Sequence, residues 1–198
     1  MRKDIHFEPL PPSFYEQPTL ELAKNLLGNI LIKETKEGTS SGIIVETEAY
    51  LGLKDRAAHS YGNRRTKRTE IMYHQPGSIY TYQMHTHCLV NVVSAEEGVP
   101  EAVLIRAVEP YTGIDLMLKR RPVNKFQNLT SGPGKLTKAL GITMEDYGGT
   151  FFKPPLFIAK GNKKPVVEQG KRIGIDNSGE AKDYPYRFFV PDNPFVSK

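Results

Sequence analysis

The run Ile43-Ile44-Val45-Glu46-Thr47-Glu48-Ala49-Tyr50 sets two carboxylates two residues apart among apolar neighbours. In a strand, successive side chains point to opposite faces. Ile43, Val45, Thr47 and Ala49 are then expected on one face, with Ile44, Glu46, Glu48 and Tyr50 on the other. The two carboxylates would stand roughly 7 Å apart at the rise of a strand. A carboxylate held against apolar and aromatic groups keeps its proton to higher pH and can do acid–base work. The same pattern also fits a solvated strand face, so the residues alone leave both readings open.

Other groups could join such a site. Arg106 sits in the apolar run Ala102–Val108. An arginine in that setting requires a carboxylate partner, and Glu48 is one candidate. Tyr73, Tyr80 and Tyr82 form an aromatic set that could serve as a sheet surface or as a stacking platform for a base. His59, His74, His85 and His87 fall within 29 residues, which raises a metal site. None of them has the His-x-x-x-His spacing with a nearby glutamate. Ser131-Gly132-Pro133-Gly134-Lys135-Leu136 lacks the spacing of a P-loop, yet it offers a helix N-terminus and a lysine to one phosphate.

Composition narrows the classes. The chain has 198 residues, with 27 lysines and arginines against 22 acidic residues, a formal charge of +5. The cations cluster at Arg64-Arg65-Thr66-Lys67-Arg68, at Lys119-Arg120-Arg121 and at Lys160, Lys163 and Lys164, a pattern suited to a polyanion. A hydrophobic content of 38% with 10% aromatics excludes a disordered chain. The single cysteine, Cys88, excludes an internal disulfide framework. No apolar run reaches the ~20 residues of a membrane helix, and no apolar stretch follows Met1–His6 as in a secretory signal. A cytoplasmic protein is expected.

The elements that must position these residues read as one mixed α+β domain over 1–198, with 1–17 an extended, proline-rich lead-in. Thr19 is expected to cap a helix that ends at Gly28. Strands are expected at Ile30–Lys33, Ser41–Tyr50 and Ala102–Val108, with two more, or one and a bent extension, in Ile79–Val93. Leu51–Thr69 reads as a long basic loop of the kind that is functional or mobile. Helices are expected over Tyr111–Arg121 and, opened by Gly132-Pro133-Gly134 and closed by Gly141, over Lys135–Leu140.

Five motifs in order go further: Ile44-Val45-Glu46-Thr47-Glu48-Ala49-Tyr50-Leu51-Gly52, Ala57-Ala58-His59-Ser60, Pro76-Gly77-Ser78-Ile79-Tyr80-Thr81-Tyr82, Val103–Pro110 and Ser131–Leu136. Together they resemble the alkyladenine (3-methyladenine) DNA glycosylase family, from about Pro12 to Val196. The resemblance implies a compact α+β fold with a largely antiparallel curved sheet, flanking helices and a protruding hairpin that enters DNA. It implies a monofunctional repair enzyme that extrudes damaged purines from double-stranded DNA and hydrolyses the N-glycosidic bond without cutting the strand. A monomer suits a protein that scans DNA, and no cofactor is expected. Glu48 falls on the family's general base, with Glu46 a weaker alternative, and Arg106 on an active-site arginine. Tyr50 falls on one wall of the base pocket, His59 and Tyr82 on the other, and Asn91 on a residue that rejects guanine. The family commonly has a wedging tyrosine three residues after Tyr82. Here that position is His85, flanked by Met84 and Thr86, in a loop one residue shorter. Arg64, Arg65, Thr66, Lys67, Arg68 and Lys135 are expected on backbone phosphates.

Two other classes compete on the residues alone: a non-catalytic nucleic-acid-binding domain, and a metal-dependent hydrolase built on the histidines. Base release measured in excess EDTA separates the last from the rest. Full activity is expected, and loss of activity on chelation would return the histidines to a metal site.

Overall fold

The computed structural model describes residues 6–197. Its organising element is the strand that carries the two carboxylates, β2 (Gly38–Tyr50). One edge of β2 pairs along nearly its whole length with β5 (Glu101–Thr112). Its other edge pairs first with β1 (Ile30–Thr35), through Ile43, and then with β8 (Arg187–Phe189), from Glu46 to Glu48. The curved, antiparallel sheet runs β3 (Ile79–Met84), β4 (His87–Ser94), β5, β2, β1 and β6 (Leu156–Ala159), and β7 (Glu168–Gly170) pairs with β8.

Three short helices cover one face: α1 (Thr19–Asn25), α2 (Ile114–Arg120) and α3 (Pro133–Leu140). Leu22 and Ala23 of α1, Met117 of α2 and Leu136, Ala139 and Leu140 of α3 are fully buried in the main core. They meet Ala49, Val90, Val92, Val103 and Ile105 from the sheet. Residues of opposite parity, among them Glu48, Tyr50, Tyr82 and Arg106, are left for the other face.

Strict alternation along β2 fails at one point. The β2–β5 register shifts between Ile44 and Glu46 and again between Glu46 and Thr47. Val45 is thus the extra residue on β2, and Arg106 the extra residue on β5. Ile44 therefore joins Ala49 in the helix-side core, not the face of Glu46 as simple alternation requires. Val45 instead packs with Ala107 and Phe195. A residue count cannot anticipate two offsetting bulges.

Other expectations are corrected by local chemistry. Thr19 does not cap α1. Pro18 occupies that position, and the buried Thr19 hydroxyl bonds to Ser94 and Glu101. The helix expected from Tyr111 starts at Ile114, because β5 continues through Thr112. Gly113 makes the corner at φ +68°, where a Cβ would lie 2.3 Å from the Thr39 carbonyl oxygen. Within 1–17, residues 1–5 lie outside the described set, and Pro12–Tyr15 forms a short 3₁₀ turn rather than extended chain. Tyr15 is fully buried there, its hydroxyl donating to the Phe151 carbonyl. Ile79–Val93 is a hairpin, with His85-Thr86 as its two-residue turn. Among the described residues, no helix is long and apolar enough to cross a membrane.

Candidate active site

Glu48 lies where β2 is flanked on both sides, opposite Leu104 of β5 and Arg187 of β8, and has no solvent exposure. Its Oε1 accepts the Ile173 backbone N–H at 2.7 Å. Its Oε2 accepts the Tyr50 hydroxyl at 2.8 Å and Arg106 Nη1 at 3.4 Å. Burial raises the Glu48 pKa above the usual carboxylate value, and Arg106, the Ile173 amide and the Tyr50 hydroxyl pull it back. Glu46 is equally buried but fully engaged. It accepts Arg187 Nε at 2.6 Å, Arg106 Nε at 3.2 Å, and the Ser197 amide and hydroxyl at 2.8 and 2.9 Å. Arg106 therefore bridges both carboxylates, where the sequence pointed to a single partner.

Tyr50 and Arg106, the side-chain donors to Glu48, both line a cavity of about 530 Å³. Tyr80, Tyr82, His59 and Asn91 line it as well. The His59 ring meets Tyr82 edge-on at 4.5 Å between centroids, and Tyr80 stacks beside Tyr82 at 5.5 Å. His59 Nδ1 and the Tyr80 hydroxyl share a hydrogen bond of 2.7 Å. Burial, with Arg68 and Arg64 nearby, lowers the His59 pKa to about 4, so the ring is neutral at pH 7. Burial raises Tyr82 to about 12 and Tyr50 well above its ordinary value. Uncharged aromatic walls beside a buried carboxylate suit a flat, electron-poor ring, which the π faces attract.

Residues 13–194 match the methylpurine-DNA glycosylase (MPG) family. The chain belongs to this family. It is a DNA N-glycosylase, a hydrolase of DNA repair. It is 69% identical to a protein of Oceanobacillus iheyensis over the full length of both chains. It is 61% identical to one of Bacillus velezensis and 61% identical to one of Bacillus subtilis, each covering 96% of this chain and 97% of the relative. All three relatives bear the name "Putative 3-methyladenine DNA glycosylase".

Of the remaining residues singled out from the sequence, Asn91 lines this cavity, whereas Arg64–Arg68, His85 and Lys135 are not among its lining residues. Asn91 is buried in β4, opposite Tyr80, and its Nδ2 donates to the Tyr80 carbonyl at 3.1 Å. His85 is exposed at the hairpin tip with φ +53°, and Met84, 47% exposed, lines the cavity. Residues Arg64–Arg68 are all exposed. Arg65 is engaged by Glu70 at 2.9 and 2.6 Å and lies over the Tyr73 ring. Thr66 exchanges turn hydrogen bonds with Thr69. Lys135 sits in the first turn of α3, where Gly134 lets the backbone approach the His87 ring; a Cβ there would be 2.7 Å from it. Among the described residues, no group of three potential metal ligands comes together.

Sequence reasoning missed the segment Ile173–Ser178, which lines the cavity and supplies the amide to Glu48. Its contribution to Glu48 is a backbone N–H, which no residue type advertises. The fully engaged state of Glu46 was equally hidden, since Ser197 is 151 residues away.

The Glu48 shift fixes a sign for stability. A carboxyl raised from its ordinary value of 4.5 stabilises the fold below that pH and loses the contribution as pH rises through the folded pKa. The Tm of Glu48→Gln relative to wild type should therefore become more favourable from pH 5 to pH 9, checked by thermal melts. His59 acts oppositely. With its pKa lowered from 6.5 to about 4, its contribution is present above 6.5 and lost as pH falls towards 4.

Proposed function

We propose that this glycosylase extrudes alkylated or deaminated purines from double-stranded DNA and cleaves the N-glycosidic bond with a water activated by Glu48. The observation that carries the reading is the buried Glu48, held by Tyr50, Arg106 and the Ile173 amide, whose residues line an aromatic cavity. A purine inside the duplex hides its glycosidic bond, so it must leave the stack, and damaged bases cost least to unstack. The extruded ring lies between Tyr50 on one side and His59 and Tyr82 on the other. Glu48 takes a proton from the water as its oxygen bonds to C1′, and the C1′–N bond breaks with its electrons going to the base. The ionised carboxylate also favours the positive charge that develops on the sugar. Arg106 holds Glu48 in place and is itself held by Glu46.

The product is an abasic site in an uncut strand. Among the described residues no lysine lines the cavity, in keeping with hydrolysis rather than Schiff-base chemistry. Asn91, its amide anchored on the Tyr80 carbonyl, excludes the 2-amino group of guanine. His85, with Met84 on the cavity side, fills the gap left by the extruded base, an apolar and aromatic wedge of modest area. Arg64, Arg65, Thr66, Lys67, Arg68 and Lys135 meet backbone phosphates, which orient the duplex without reading its sequence. Arg65 must exchange Glu70 for phosphate to do so. The enzyme acts as a monomer without a cofactor, in the cytoplasm and, in a bacterium, at the nucleoid.

The test is base release from methylated DNA and from a hypoxanthine-containing duplex. Wild type should release free purine and leave alkali-labile sites without spontaneous breaks. Glu48→Gln should lose about 10²–10⁴-fold in release rate while still binding DNA. An equally active Glu48→Gln, or a wild type that binds DNA and releases nothing, overturns the reading. Affinity should fall steeply with salt, and Lys67→Ala or Arg68→Ala should each flatten the log–log slope by about 1. An unchanged slope removes that residue from the phosphate contacts.

A further inference from the structure

Taking Glu48 as the base, we propose that Arg172, paired with Asp55, is the positioning residue that holds the Ile173 amide on Glu48 and braces the Tyr50 wall. The Arg172 side chain is fully buried. Nη1 donates to Asp55 Oδ2 at 2.5 Å and to the Ala49 carbonyl at 2.9 Å. Nη2 donates to Asp55 Oδ1 at 2.8 Å and to the Ala181 carbonyl at 3.0 Å. One guanidinium thus ties together the end of β2, the loop that begins at Leu51 and the 179–183 turn. Its carbon lies 4.7 Å from the Tyr50 ring centroid and 5.4 Å from that of Tyr186.

Chain connectivity makes the link to the base. The residue after Arg172 is Ile173, whose N–H donates to Glu48 Oε1 at 2.7 Å. Asp55 in turn accepts the Leu51 and Ala57 amides, each at 3.0 Å, at the root of the loop that carries His59. A single ion pair therefore links the amide on Glu48, the Tyr50 ring and the root of the loop that carries His59. A buried ion pair is seldom better for stability than an apolar pair of the same volume. Its planar, bidentate geometry fixes orientation, which lysine cannot reproduce. Asp55 also cancels the charge behind Tyr50, so that the ring does not present a bare cation to a cationic purine on its other face.

The charged and titratable groups around Glu48 are Arg106 from β5, Glu46 and Tyr50 from β2, Tyr82 from β3, Arg187 opposite it on β8, and Arg172. Displacing Ile173 removes one hydrogen bond to the ionised carboxylate, so Glu48 keeps its proton to higher pH; Arg172→Met also removes a nearby cation, whereas Arg172→Lys keeps the charge and isolates the hydrogen bond. Single-turnover release of hypoxanthine is measured from pH 5 to 10 for wild type, Arg172→Met, Arg172→Lys, Asp55→Asn and Glu48→Gln. Arg172→Met should slow release at pH 7 at least tenfold and move the acidic limb up by about one pH unit, with Arg172→Lys between it and wild type. DNA affinity at fixed salt should stay within twofold. A purely structural role would lower the reacting fraction and leave the limb in place, which overturns the proposal. Should Arg172→Met not fold, Arg172→Lys, which keeps the charge, decides by the same limb, and Asp55→Asn by the rate at pH 7. If Glu48→Gln is inactive and the Arg172 variants keep the wild-type limb, only the Arg172 assignment falls. If Glu48→Gln is active, the base assignment falls and this proposal with it.

Discussion

An unpaired buried carboxylate costs several kcal/mol, and β2 buries two of them within three residues. The surrounding structure resolves this cost by giving each a different set of partners. Glu46 takes two arginines and both donors of Ser197, and is a saturated counter-ion. Glu48 takes one distant arginine nitrogen, one hydroxyl and one amide, and its proton affinity stays raised. Two identical side chains on one strand thus acquire different chemistry from their environments alone. Arg106 links the two and is held by both.

The cavity follows from the same economy of charge. Its aromatic groups are neutral at pH 7, His59 included. The cations of the run Arg64–Arg68 stand outside its lining, exposed to solvent. A protonated histidine in the wall would oppose a positively charged purine. The nearby arginines and the burial of the ring together keep the proton off. The loop that carries both the cations and His59 is anchored at its root by Asp55 and by the Ser60 hydroxyl on the Pro100 carbonyl. The cationic stretch of the loop is thereby held apart from the root that carries the pocket wall.

Closure of the site depends on segments remote in sequence. Phe195 packs on Val45 and Ala107, and Ser197 reaches Glu46. Ile173 to Ser178 forms part of the cavity lining. The paired bulges at Val45 and Arg106 turn the strand faces where these segments arrive. They keep Ile44 and Val108 in the helix-side core while Arg106 faces the carboxylates. Bulges at active sites commonly re-aim a side chain in this manner.

Much of this was legible in one dimension. The strand runs, the Gly-Pro-Gly opening of α3 with Gly141 closing it, the basic loop and the ordered motifs around Glu48, His59, Tyr82 and Arg106 are local signals, set by side-chain type and spacing. They determined the fold class, the family and the residues gathered at the cavity. What the sequence could not carry were the interactions made by atoms every residue shares or by partners far along the chain. Phase along β2 depended on a register set jointly with β5. The start of α2 depended on how close Gly113 comes to Thr39. The division of labour between Glu46 and Glu48 depended on Ser197, Arg187 and the Ile173 amide. Desolvation and hydrogen bonding shift a carboxylate only once the chain has folded around it, so the tertiary structure alone decided the partners of each glutamate and the raised pKa of Glu48.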